Sequence, residues 1–230
     1  MTPDTHSAGR ISMDRTDNFR RSIALLILLT LVPSVGCINL VSSLLYPTNE
    51  TPARFSGMKE KKVVVVCIAS PSFRSETDTS RNIATMVEKL LGANVPDIEI
   101  ISQQKIDDWQ DTSNWDRLDA RKLGKGVGAD IVVAIDLAHL EIQEHPSMYK
   151  GKADFSVSVF DMSNKGKVVY ESTDQTLEFP ANGTFSSASL TEDKFRRKFM
   201  QSISVWIAHD FYKHDAHDYL AMDETFVTNR

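Results

Sequence analysis

The hydrophobic pattern divides the chain into a charge-free N-terminal stretch and a longer body of short apolar segments. No charged residue occurs from Ser22 to Asn49, and the residues from Ile23 to Val32 are almost all apolar. Arg20 and Arg21 come directly before them. A basic segment followed by roughly ten apolar residues is the layout of a secretory signal peptide. We therefore predict a signal peptide over residues 1–36.

The body of the chain alternates between strand-like and helix-like patterns. Continuous apolar runs predict strands buried on both faces, and alternating apolar and polar residues predict strands with one wet face. Apolar residues three and four positions apart predict helices. The predicted strands are Lys61–Ile68, Ile98–Ile101, Ala129–Leu137, Ala153–Phe160 and Lys167–Glu171, the last two joined as a hairpin by the turn Ser163–Gly166. The predicted helices are Thr77–Leu91 with Gly92 as its C-cap, Trp115–Gly126, and a last helix from a capping box at Ser189 and Glu192 to about Tyr212.

The order of these elements is β-α-β-α-β-β-β-α, which predicts a single α/β domain with a mixed sheet. Proline, glycine and polar residues before Lys61 indicate a tether, and the polar residues after Lys213 indicate a tail that frays. The predicted divisions are a signal peptide at 1–36 (n-region 1–22, apolar part 23–36), an acylated cysteine with its tether at 37–60, the α/β domain at 61–213 and a polar tail at 214–230.

Small residues stand directly before Cys37. The stretch Pro33-Ser-Val-Gly-Cys37 resembles the lipobox of bacterial lipoproteins, which implies cleavage before Cys37 and acyl chains on that cysteine. One alternative is a single transmembrane anchor, because residues 23–45 are long enough to cross a bilayer, although Pro33 and Asn39 disfavour it. A plain cleaved signal is the other. All three export the C-terminal body.

Composition and charge narrow the possible classes of protein. The chain has 230 residues, 41% hydrophobic and 25% charged, which suits a globular domain. Its net charge is −5, and removal of residues 1–36 takes four arginines and three aspartates, leaving about −6. That balance disfavours nucleic-acid binding and predicts no attraction to anionic lipid. The two cysteines, Cys37 and Cys67, cannot form a disulfide scaffold.

The stretch from Leu123 to Asp130, which leads into an apolar strand, together with the order of elements, resembles a group of bacterial envelope proteins. The group includes the curli-secretion-channel lipoproteins, the lipoproteins that activate penicillin-binding proteins, and the N-terminal domain of the periplasmic protein of the Tol–Pal system. The resemblance covers residues 61–212. It implies an accessory or assembly role in the envelope without catalysis, and it implies no active-site residues.

Two groups of residues could form a site, and each also has a simpler structural explanation. His214 and His217 would share one face of a continued helix and could bind a metal ion, although histidines also suit a helix C-terminus. Trp109 and Trp115 could bind a partner, or they could anchor an acidic loop to the core. The acidic residues around them, which could do acid–base work, are Asp107, Asp108, Asp111 and Asp116.

Three other features have weaker functional interpretations. Cys67 lies within an apolar strand, where a thiol is inert. The glycines of Gly124–Gly128 follow a helix instead of a strand, which fits a helix C-cap better than a phosphate loop. Glu141, Glu144 and His145 follow the third strand, where α/β sheets often bind ligands.

These observations predict a membrane-anchored lipoprotein of the cell envelope, with its body in the periplasm or otherwise outside the cytoplasm. The predicted role is accessory and non-enzymatic, with no catalytic residues and no cofactor. Its predicted partners are the membrane, through Cys37, and another envelope protein, and nucleic acid is excluded. The alternative functions are an exported hydrolase, or a metal- or small-ligand-binding module on a single transmembrane anchor.

Overall fold

The computed structural model describes residues 50–70, 77–113, 119–145 and 147–215. All of them belong to one compact unit. No helix within these four stretches is long and apolar enough to cross a membrane. The predicted signal peptide, Cys37, Trp115, Asp116 and His217 lie outside the described residues.

The described residues form strands and helices in an alternating order, with most strands in one sheet. The strands are β1 (Glu50–Thr51), β2 (Lys62–Ala69), β3 (Glu99–Ile101), β4 (Ile131–His145), β5 (Met148–Asp161), β6 (Lys167–Glu171), β7 (Gln175–Phe179), β8 (Phe185–Ser186) and β9 (His214–Asp215). The helices are α1 (Thr77–Asn94), α2 (Gln103–Ser113), α3 (Ala120–Val127) and α4 (Glu192–Ala208).

The main sheet has the strand order β3-β2-β4-β5-β6. β2 is parallel to β3 and to β4, with Val63 opposite both Ile100 and Ile131. β5 returns antiparallel to β4, and β6, β7 and β8 each pair antiparallel with β5. The predicted α/β fold with a mixed sheet is therefore confirmed.

Strand β2 is buried on both faces because helices cover both sides of the sheet there. Val63 and Val65 belong to the larger hydrophobic core, which includes residues of α1 and α4. Val64 and Val66 belong to the smaller core, which includes residues of α2 and α3. All four are at most 4% exposed. A strand of this kind needs no polar alternation, which explains its continuous apolar run.

Strand β5 shows the predicted alternation. Phe155 and Val157 are buried in the larger core, whereas Ser156 between them is partly exposed. A Cβ atom added to Gly151 would lie 2.7 Å from the ring of Phe199, so α4 packs directly on the backbone of β5. The predicted hairpin of β5 and β6 is confirmed, with Lys165 and Gly166 at φ values of 57° and 73° in its turn.

The predicted helix Trp115–Gly126 is confirmed from Ala120 onward, but its predicted start, with Ser113 or Asn114 as the cap, is wrong. The structure has two helices in this region, α2 and α3, and α3 begins after Asp119, whose Oδ1 accepts hydrogen bonds from the backbone N–H groups of Arg121 (2.9 Å) and Lys122 (3.2 Å). Helix α2 buries only Ile106, so its apolar pattern is too weak to predict a helix.

The ends of the other helices also differ from the prediction. Helix α1 continues through Gly92 to Asn94, so Gly92 is not its C-cap. Helix α4 begins after Thr191 instead of Ser189, and it ends at Ala208 instead of Tyr212. The apolar stripe predicted for α4 has five members, of which Trp206 is half-buried. The other four are fully buried, which confirms the stripe: Phe195, Phe199, Ile203 and Ile207.

Candidate functional site

The folded body begins before Lys61, in a segment that the sequence assigns to the tether. We call this segment, Glu50–Met58, the strap. Its first two residues form β1, which pairs antiparallel with β9, so that residues 214 and 215 are paired instead of frayed. At its other end Met58 is 1% exposed and belongs to the larger core. Pro52 and Gly57 concealed this packing in the sequence because both residues are typical of linkers.

A buried carboxylate holds the strap against the body. Asp210 is 4% exposed and lies 3.1 Å from Nη1 of Arg54, and the hydroxyl of Tyr170 donates a hydrogen bond of 2.9 Å to it. The backbone carbonyl of Asp210 accepts a hydrogen bond of 2.9 Å from the N–H of Phe55. We call Arg54, Tyr170 and Asp210 the Asp210 cluster. It joins the strap, β6 and the chain that follows α4.

The electrostatics of the Asp210 cluster follow from its burial. Desolvation raises the pKa of Asp210, although the hydrogen bond from Tyr170 and the charge of Arg54 act in the opposite direction. Burial and, secondly, the hydrogen bond to Asp210 raise the pKa of Tyr170 to about 12. Tyr170 therefore stays a hydrogen-bond donor at any physiological pH, and the phenol is suited to holding the carboxylate in place.

The structure places His214 on β9 and not on a continued helix. Its ring stacks on that of His209, with 3.8 Å between the centroids and 10° between the planes. Stacked rings present their faces to each other, whereas a metal ion needs the nitrogen lone pairs to converge. Within the four described stretches, no group of three or more histidine, cysteine, aspartate or glutamate side chains could hold a metal ion. The His214–His217 pair stays a prediction because His217 lies outside those stretches.

Trp109 lies on α2 and packs against the smaller core. Its indole occupies the space that a Cβ atom would need at Gly126, so this tryptophan anchors α2 on α3. Asp107 forms an ion pair of 2.5 Å with Arg81 of α1, and Asp108 accepts a hydrogen bond of 2.9 Å from Gln104. The residues up to Ser113 therefore form a helix and not the predicted acidic loop. Trp109 anchors this helix to the core, as the simpler of its two explanations predicts.

A second buried carboxylate lies where β3 ends beside β2. Glu88 of α1 is 7% exposed, and its Oε1 accepts a hydrogen bond of 2.6 Å from Nε2 of Gln103. The same nitrogen donates to the carbonyl of Val65 at 2.8 Å. Because β3 pairs with β2 only as far as Val64, Gln103 satisfies the next carbonyl on that edge. Burial raises the pKa of Glu88 to about 7, against the hydrogen bond from Gln103.

The remaining residues with a predicted functional role lie in strands or at a helix end. Desolvation raises the pKa of the Cys67 thiol to about 12, so the thiolate is scarce at neutral pH. Gly128 is the C-cap of α3 with φ of 72°, as the helix-end explanation predicts. Glu141 and His145 lie within β4, which is longer than predicted. Glu141 is 3.5 Å from Nε2 of His139, and the side chain of Glu144 is outside the described set.

Sequence reasoning missed Arg54, Tyr170, Glu88 and Gln103. The partners in the Asp210 cluster are separated by 40 residues or more, so no local spacing relates them. One signal was available, since Tyr170 occupies an inward position of a predicted strand and its hydroxyl then needs a buried partner. Glu88 likewise lies on the apolar face of a predicted helix, next to Val87.

The chain and its α/β domain were compared with known proteins. No protein-family model matches the chain, and no curated protein matches it. Among solved structures, the PelC dodecamer from Paraburkholderia phytofirmans is 15% identical over 72% of this chain and 96% of that one, with a TM-score of 0.43. Lipoprotein GNA1162 from Neisseria meningitidis is 12% identical over 64% and 97%, with a TM-score of 0.42.

The LpoB C-terminal domain from Salmonella enterica is 16% identical over 60% of this chain and 93% of that one, with a TM-score of 0.34. Lipoproteins are thus among the structures found, which is the class that the sequence resemblance names. At these identities and scores the similarity carries no argument about function.

Proposed function

We propose that the protein is an exported lipoprotein of the bacterial cell envelope, anchored through acyl chains on Cys37. Its α/β body has a non-catalytic accessory or assembly role and binds another envelope component. The observation that carries the proposal is the stretch of small residues before Cys37, directly after the apolar run Ile23–Val32. The strap is consistent with it. The chain leaves the proposed anchor, and after twelve residues it is built into the body by β1 and the Asp210 cluster.

The tether between Cys37 and the strap, residues 38–49, gives the anchored body a limited reach. Twelve residues span at most about 43 Å when fully extended, so the body stays close to the membrane that holds Cys37. The strap also fixes which part of the body is nearest to the tether, namely β1, β9 and Arg54. An accessory protein needs such a defined attachment, because its partner must be met at a set distance from the membrane.

The environment of the titratable groups supports a non-catalytic role. The thiol of Cys67 has a pKa of about 12, which is unsuited to nucleophilic attack at neutral pH. Asp107 is paired with Arg81, and Glu88 is held by Gln103 within a packed edge. The alternative function, an exported hydrolase, would need carboxylates free to face a substrate.

The anchor is tested by replacing Cys37 with alanine and following the protein in membrane and soluble fractions. We expect Cys37→Ala to abolish labelling with a fatty-acid probe. We also expect the variant to be lost from the fraction in which the acylated wild-type protein is found. Cys67→Ala is the matched control and should leave labelling unchanged, because its thiol is buried in the body. Labelling that survives Cys37→Ala would contradict the lipoprotein proposal and favour the transmembrane anchor.

The accessory role is tested by crosslinking the full chain in its own membranes and identifying the captured protein. We expect one envelope protein to be enriched with the wild-type chain and lost when the body is deleted but the first 49 residues are kept. Hydrolysis of an envelope polymer by the purified body, lost on Asp111→Asn, would instead support the alternative function.

A further inference from the structure

We infer that the body carries a lysine patch that contacts the anionic phospholipid headgroups of the membrane holding the anchor. The patch consists of Lys122 and Lys125 on α3 and Lys165 and Lys167 at the turn between β5 and β6. All four are exposed. This inference rests on the proposed lipid anchor, which keeps the body at the membrane surface.

The fold brings the two halves of the patch together. Nε of Arg121, on α3, donates a hydrogen bond of 2.8 Å to the carbonyl of Gly166 in the turn. The guanidinium of Arg121 also lies over the ring of Phe160, 4.8 Å from its centroid. Helix α3 is thereby fixed against the turn, so lysines that are some forty residues apart in sequence share one end of the domain.

The carboxylates at this end are bound to backbone N–H groups instead of to the patch. Asp119 caps α3, and Oδ2 of Asp130 accepts from the N–H of Lys62 at 2.9 Å. Oδ1 of Asp161 accepts from the hydroxyl and the N–H of Ser163, which lower the pKa of that carboxyl. Within the described residues, the ion pairs involve none of the four patch lysines.

The patch lies at the end where the strap joins the sheet. The carbonyl of Met58, the last strap residue, accepts from the N–H of Lys61 at 3.2 Å, and β2 begins at the next residue. The carbonyl of Lys62 in turn accepts from the N–H of Asp130, which follows α3. On β6, Lys167 is three residues before Tyr170 of the Asp210 cluster. The tether and the patch are therefore attached to the same end of the body.

The charge at this end of the body differs from the net charge of the chain. Hydrogen bonds from N–H groups do not remove the charges of Asp119, Asp130 and Asp161, but the four patch lysines and Arg121 outnumber these three carboxylates. Charges farther away than about 8 Å are largely screened at physiological ionic strength, so the acidic residues elsewhere on the body contribute little. Each lysine near an anionic bilayer strengthens binding about fivefold, and a short tether raises the effective concentration of the surface. The expectation that the protein is not attracted to anionic lipid rests on net charge, which does not describe how charge is distributed.

The test uses residues 49–230, because both hydrophobic cores consist of residues between 58 and 211 and this unit carries no acyl chain. Binding is measured by sedimentation with vesicles of phosphatidylglycerol and phosphatidylcholine, and with phosphatidylcholine alone. We expect binding to the anionic vesicles only, weakened by added salt. Lys122→Gln/Lys125→Gln should weaken it about 30-fold.

Lys105→Gln/Lys194→Gln is the matched control and should change binding by less than about twofold. Both of its lysines are exposed and lie near the starts of α2 and α4. Equal loss in the two double variants, equal binding to both kinds of vesicle, or retention on nucleic acid without vesicle binding would overturn the inference. None of these outcomes depends on Cys37, whose acylation is tested separately by labelling.

Discussion

Asp210 and Glu88 are both buried carboxylates, yet the structure holds them in different ways. Asp210 has a guanidinium and a phenol from distant parts of the chain within hydrogen-bonding distance. Glu88 has the neutral amide of Gln103 as its close partner, and Arg81 acts on its pKa less than burial does. The comparison teaches that the first acid connects the strap to the body, whereas the second makes the sheet edge sensitive to pH.

Removal of the strap should give the largest effect. We expect a chain that starts at residue 59 to unfold with a free energy lower by about 3–6 kcal/mol than one that starts at residue 49. The reason is that burial of an apolar side chain such as Met58 contributes about 1.5–3 kcal/mol, and the truncation also removes the half-buried Phe55 and the contact of Arg54 with the buried Asp210. Urea unfolding of the two chains measures the difference. Equal stability would show that the strap is only a tether, and Asp210 would then have no connecting role to set against Glu88.

Glu88→Gln should give the second largest change in the free energy of unfolding. The change should be seen at neutral and alkaline pH and be absent at pH 4. The pKa of Glu88 is raised from 4.5 to about 7 in the folded state, so the stabilising contribution of its protonated form is present below pH 4.5 and is lost as the pH rises through 7. Glutamine keeps the neutral form, so the variant should exceed the wild type by roughly 2–3 kcal/mol at pH 8. The two proteins should be equally stable at pH 4.

Unfolding by urea at several pH values checks this expectation. Asp108→Asn, which changes an exposed carboxylate of α2 that accepts a hydrogen bond from Gln104, is a suitable control because it leaves the ion pair of Asp107 and Arg81 in place. A wild-type stability that does not fall between pH 4.5 and 7 would mean that Glu88 is ionised throughout, and the contrast with Asp210 would disappear.

Arg54→Gln should give the smallest effect. The Arg54 side chain is 63% exposed although its partner Asp210 is buried, so solvent weakens the pair and a loss of about 1 kcal/mol is expected. Lys59→Gln is the matched control, since Lys59 pairs with an exposed Asp97 at 3.7 Å and should contribute nothing measurable. Identical stability of both variants would assign the strap entirely to apolar packing.

The sequence predicted the elements whose hydrophobic pattern is set by one dominant environment. β2 is apolar throughout because two helical layers cover it, β5 alternates because its second face is partly open, and α4 has a full apolar stripe. Each pattern is visible without knowledge of any partner. The resemblance of Leu123–Asp130 to envelope proteins was also visible in this way.

The features that could not be predicted depend on contacts between distant residues. Helix α2 buries a single aliphatic residue and is held by Trp109 against Gly126 and by Asp107 against Arg81. The strap contains linker-like residues and is held by Asp210, which is more than 150 residues away. Neither local propensity nor periodicity carries such information. The Asp210 cluster and the surroundings of Glu88 could not be predicted for this reason. The proposed anchor, Cys37, could be predicted because a lipobox is a local motif.

The most direct test of the lipoprotein proposal is the mass of the N-terminal peptide of the protein purified from bacterial membranes. We expect the chain to begin at Cys37 and to carry acyl chains on that residue. A peptide that begins at or before Ser22, or one that begins after Cys37 without lipid, would contradict it.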